Sequence, residues 1–213
     1  MAEPEAFDRL ARDWQALLEA LPPERVNSPR WFCAPGMPRP DTPVQLFAEL
    51  EDVRLGWREL RGRPEVGKLA GRFVTAAWTL KDLLAHVASW ATEFRHEVET
   101  VARGEGFDYA IPYVLTEVGP TEWNHAEVDK RRAKSLEELF EELETQTLAL
   151  EDAALGLPPA TLWRETDFPF APSGDPKALW RGALSQVILM KCFHDRHHLG
   201  RLQQWLTSQP PEP

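Results

Sequence analysis

Four long stretches of this chain carry apolar residues at three- and four-residue steps, each opened by a capping signal and closed by glycine or proline. No stretch alternates apolar and polar residues between turns, so the pattern predicts helices and no sheet. Thr42 and Pro43 place an N-cap before a first-turn proline, and Val44, Leu46, Phe47, Leu50, Val53, Leu55, Trp57 and Leu60 carry the period to Arg61 and Gly62. Thr79-Leu-Lys-Asp82 has capping-box spacing, with Asp where Glu or Gln is usual. The run Leu83, Leu84, Val87, Trp90, Phe94, Val98 and Val101 then predicts a helix from about Leu80 to Arg103, ended by Gly104. Ser135-Leu-Glu-Glu138 is a second box, opening a helix to about Leu155 before Gly156 and Pro158-Pro159. Asp175 as N-cap and Pro176 behind it are expected to open the last helix, which runs to about Leu206.

The fold class expected is all-α: a four-helix bundle with long crossover loops and an extra N-terminal helix. That extra helix spans Glu5 to Ala20, with Phe7, Leu10, Trp14 and Leu17 on one face. Seven prolines between Pro22 and Pro43 form a connector that neither a helix nor a central strand survives. Residues 1–41 are therefore read as helix and connector, and 42–213 as the bundle. The stretch from Glu105 to Pro120 reads as a crossover loop, with a helix start near Thr121 to His125, and Pro158 to Pro176 as a second proline-rich loop.

Charge narrows the partners. With 34 acids against 24 bases the net charge is −10, the wrong sign for neutralising phosphates, so nucleic acid and anionic membrane are excluded as first expectations. No segment approaches the length of a membrane span, and the acidic N-terminus has no signal-peptide pattern. Cys33 and Cys192 form no C-x-x-C pair, which speaks against a cysteine zinc site and fits a reducing cytoplasm.

The densest polar cluster, Phe193-His194-Asp195-Arg196-His197-His198-Leu199-Gly200-Arg201, interrupts a largely apolar helix. His194 and His198 lie about 40° apart around the helix, so their imidazoles stand side by side. Ala183, Val187, Met190 and Trp205 share their face, which turns it toward the bundle interior; His197 falls at the margin. Two imidazoles make a partial site, and a third ligand from another helix completes a centre with an open position. His86 is the best candidate, at the edge of its helix's apolar stripe beside Asp82, Glu93 and Glu97. Glu93 is a candidate general base. The plainer readings stay open beside these: a hydrogen-bonded pair for His194 and His198, a solvated His86, a helix cap for Asp82, a charged helix edge for Glu93. His96 is expected to be exposed and Cys192 to be a small buried residue.

Trp78-Thr-Leu-Lys-Asp-Leu-Leu-Ala-His86-Val-Ala-Ser-Trp90, followed far downstream by His194-Asp-Arg-His-His198-Leu-Gly-Arg-Leu, resembles the DinB-like superfamily. This group of metal-dependent four-helix bundles includes mycothiol-dependent maleylpyruvate isomerase and bacillithiol S-transferases, and the first segment looks most like the colibactin self-resistance branch. The resemblance covers about Thr42 to Leu206. It implies a divalent ion, usually zinc or nickel, held by His86, His194 and His198, and a role for Asn124 and His125 near the mouth of the site, with His125 a catalytic candidate. It further implies a small-molecule substrate and activation of either a low-molecular-weight thiol, as in an S-transferase or isomerase, or water, as in a hydrolase. A non-enzymatic metal- or ligand-binding bundle is the alternative, and a bundle with no metal the third. The extra N-terminal segments suggest a homodimer.

Overall fold

The computed structural model describes residues 42–75, 77–103, 119–168 and 180–208. The expected helix from Glu5 to Ala20, its connector, Cys33, most of the Glu105–Pro120 segment, and Asp175 with Pro176 lie outside these residues.

Four long helices form the bundle: α1 (Pro43–Arg61), α3 (Leu80–Ala102), α5 (Leu136–Leu155) and α7 (Leu184–Thr207). Short elements join them: α2 (Pro64–Lys68), α4 (Gly119–Lys130), α6 (Pro159–Trp163), β1 (Glu165–Phe168) and β2 (Trp180–Ala183). The long helices meet in a ring, α3 against α5 and α7, and α1 against α7 and α5. Leu46, Leu50, Leu84, Val87, Leu139, Leu150, Val187 and Leu202 from all four are fully buried at its centre.

The caps form as the sequence demands. Thr42 accepts from the Gln45 amide, and the boxes Thr79–Asp82 and Ser135–Glu138 are reciprocal. Arg54, Arg58 and Arg61 on α1 pair with Glu151, Glu144 and Glu137 on α5, so these helices run antiparallel. Lys81, at the start of α3, donates to the Arg132 carbonyl just ahead of α5 at 2.8 Å. The chain therefore returns to the end where α3 began, and the α3 to α5 connection is a crossover. Gly56 on α1 permits a close approach to α7: a Cβ there would fall inside 3.0 Å of a Leu199 methyl.

Two expectations are corrected. The last helix starts at Leu184 behind Ala183, eight residues later than Pro176 would have it. The residues before it are strand: β2 pairs antiparallel with β1, Glu165 opposite Ala183 and Phe168 opposite Trp180, so the chain is not free of sheet. Each strand has four residues, too short to show alternation, and such a pair is stabilised by the partner strand and not by local pattern. Among the described residues no helix is long and apolar enough to cross a membrane.

Candidate metal centre

The site is assembled by the start of α3 and the middle of α7. The Thr79–Asp82 box fixes the first turn of α3. The loop before it folds back, its Arg72 and Ala70 carbonyls accepting from the Leu80 and Lys81 amides at 2.9 and 3.0 Å. That loop lays Trp78 against His86, ring centres 4.7 Å apart. His86 is consequently 5% exposed, whereas its helical position suggested an open edge. A helical wheel does not register a loop that covers the helix from outside.

His86, His194 and His198 each offer a ring nitrogen within 4.8 Å of the other two. Their ring centres stand 5.1, 5.0 and 4.6 Å apart, and Nε2 of His86 lies 3.1 Å from Nε2 of His194. Burial, then the proximity of His194, holds His86 and His198 well below the usual imidazole range. Both are therefore neutral near pH 7, the form in which imidazole offers a lone pair. Two nitrogens about 2.05 Å from one zinc ion at the tetrahedral angle lie about 3.3 Å apart, close to the separation found. A three-imidazole donor set on two helices fits a divalent ion.

Behind the cluster, Asp195 places Oδ1 3.2 Å from Nδ1 of His194 and Oδ2 2.8 Å from the Lys191 ammonium. Lys191 donates to the Thr147 hydroxyl of α5 at 2.9 Å. In front, Trp90 Nε1 donates to Asn124 Oδ1 at 2.9 Å and its ring lies 5.0 Å from Trp123 and 5.7 Å from His194. His125 is exposed, its ring edge-on to Trp78 at 6.1 Å, so α4 brings Asn124 and His125 beside the two tryptophans.

The remaining candidates stand elsewhere. Glu93 is two helical turns beyond His86, and its carboxyl is raised by burial and then by Glu127, with His96, Arg131 and Lys130 acting against the shift. It is not one of the three groups that gather within 4.8 Å of one another. Glu97 is 1% exposed and so is not on a cleft rim, and His96 is half-buried, not exposed. Asp82 accepts from the Thr79 amide at 3.0 Å as a cap. His197 is exposed, and Cys192 is fully buried with its thiol pushed far above the usual range by burial. Sequence reasoning gave no role to Trp78, Lys191 or Asp195. The spacing of Lys191 and Asp195, opposite charges one turn apart inside an apolar helix, was the available signal.

Helices in this arrangement, closing on three imidazoles, define a DinB-like bundle. The chain belongs to the mycothiol maleylpyruvate isomerase N-terminal domain family, whose model matches residues 50–185. The match contains His86 and stops short of His194 and His198. No curated protein and no solved structure matches the chain.

Proposed function

We propose that this chain binds one divalent ion, zinc or nickel, through His86, His194 and His198, and activates a low-molecular-weight thiol or water toward a small electrophilic substrate. The observation that carries the reading is the convergence of three imidazole nitrogens from α3 and α7 within 4.8 Å, with His86 and His194 buried and His198 half-buried. A divalent ion among neutral ligands keeps its full charge and lowers the pKa of a thiol or water presented to it. The family name points to mycothiol as the thiol. Cys192, buried and held protonated, is no substitute, which favours a thiol brought from outside.

The chain's own residues supply the surroundings. Trp78 and Trp90 wall the cluster from water, and Trp123 extends that wall toward α4. Asn124, held by Trp90, presents an amide at the mouth. His125, exposed beside Trp78, is placed to pass a proton between the mouth and solvent. Glu93 has no part in this reading. The family setting suits a cytoplasmic protein, and we place it there as a homodimer.

The test is conjugation of monochlorobimane by the zinc- or nickel-loaded chain with mycothiol, bacillithiol, glutathione and cysteine in turn. Metal-dependent conjugation with one thiol, reduced at least tenfold by His125→Ala, is the expected result. Full metal loading with neither conjugation nor hydrolysis of an ester panel would replace the enzyme reading by metal or ligand binding.

A further inference from the structure

Lys191 and Asp195 are both completely buried, although an ion pair in a core is no more stabilising than well-packed apolar side chains of the same volume. Packing alone therefore gives no reason for the pair. Its geometry does. The Asp195 carboxylate is divided, Oδ2 on the Lys191 ammonium at 2.8 Å and Oδ1 on Nδ1 of His194 at 3.2 Å. The Thr147 hydroxyl, 2.9 Å from the ammonium, ties the arrangement to α5. An ionised carboxylate only accepts, so Nδ1 of His194 carries a proton, and Nε2 is the nitrogen that faces His86 at 3.1 Å. Nδ1 of His86 and Nδ1 of His198, by contrast, are buried without a hydrogen-bond partner, although the Asn124 side chain also acts on the His86 ring.

We infer that Asp195 and Lys191 are positioning residues with opposed effects on cation binding: Asp195 sets the tautomer and aim of His194, and Lys191 offsets the carboxylate's charge, holding cation affinity below what the cluster would otherwise reach. The inference rests on the metal reading above for its affinity part, while the tautomer part stands on the metal-free chain. Removing the acceptor that orients a ligating histidine weakens metal binding about 10- to 100-fold. Removing a buried positive charge near a cation site strengthens it, here by about tenfold or more. Opposite signs from two residues in one ion pair are what a merely structural pair does not produce, since breaking it from either side only destabilises the fold.

The experiment uses the full chain and Zn²⁺, with affinity read by competition against a fluorescent chelator and folding by circular dichroism. Asp195→Asn is expected to weaken zinc binding and Lys191→Met to tighten it. Should either single variant unfold, Lys191→Met with Asp195→Leu carries no unpaired buried charge and is expected to fold, to bind zinc within about tenfold of the wild type because the two opposed effects largely cancel, and to lose the Nδ1–H preference of His194 in ¹⁵N NMR. ¹⁵N NMR of the metal-free wild-type chain is expected to show His194 as the Nδ1–H tautomer. Shifts of equal sign, unchanged affinities in folded single variants, an Nε2–H tautomer in the wild type, or a double variant that keeps the Nδ1–H form would overturn the inference. A wild-type chain that binds no zinc refutes the metal reading and the charge-balancing part together, and the tautomer then decides the positioning part by itself.

Discussion

The close approach of α1 to α7 at Gly56 can be tested by filling it. Gly56 on α1 faces Leu199 on α7, the residue after His198, and a Cβ at position 56 would fall inside 3.0 Å of the Leu199 terminal methyl, with Cγ at 3.7 Å. Leu199 is only 8% exposed, so the methyl has to retreat by roughly an ångström into packed surroundings. Such overpacking costs about 1–3 kcal/mol, while Gly→Ala in a helix interior returns about 1 kcal/mol. Gly56→Ala should therefore destabilise by about 0–2 kcal/mol. Leu199→Ala removes the opposing methyls, and in that background only the helix gain of about 1 kcal/mol remains. The coupling between the two positions is then about 1–3 kcal/mol, with each kcal/mol worth about 2–4 °C in Tm for a chain of this size. Thermal denaturation of the wild type, both single variants and the double variant measures it. If Gly56→Ala raises Tm equally in both backgrounds, α1 and α7 do not approach as described.

Thr79→Ala breaks the reciprocal cap at the start of α3 and should lower stability by about 1 kcal/mol in urea denaturation. Arg196 holds the buried Glu49 at 2.6 Å, so Arg196→Met leaves a carboxylate uncompensated and should cost about 3 kcal/mol at neutral pH. Burial already raises the Glu49 carboxyl above its usual range, against the lowering effect of Arg196. A carboxyl with a raised folded-state pKa binds its proton more tightly in the fold, so the loss should be larger at pH 8 than at pH 5. Glu93, raised by burial and by Glu127, follows the same sign: its contribution is fullest below about pH 4.3 and is lost as pH rises through the folded-state value. Glu93→Gln should hence raise Tm more at pH 7.5 than at pH 4, with zinc affinity unchanged; a reversed pH trend would refute the sign.

Much of this architecture was legible because caps are local. Thr42, Thr79 and Ser135 announced three of the long helices to within a residue of their observed starts, and the face shared by His194 and His198 followed from the helical period alone. What escaped was tertiary. Pro176 looked like a first-turn proline, but the residues from Trp180 pair with Glu165–Phe168 and delay α7 to Leu184. His86 was read at an edge because its covering ring, Trp78, comes from a preceding loop whose fold depends on carbonyls accepting from the first amides of α3. Asp195 was visible as a residue yet unassigned, since its meaning depends on which carboxylate oxygen faces Nδ1 of His194 and which faces Lys191.

Metal analysis of the purified full chain after reconstitution with zinc tests the central claim most directly, with His86→Ala, His194→Ala and His198→Ala alongside it. About one equivalent per wild-type chain is expected, with affinity reduced by at least about 10- to 100-fold in each of the three variants. Substoichiometric zinc in the wild type, or variants that bind as tightly as it does, would contradict it.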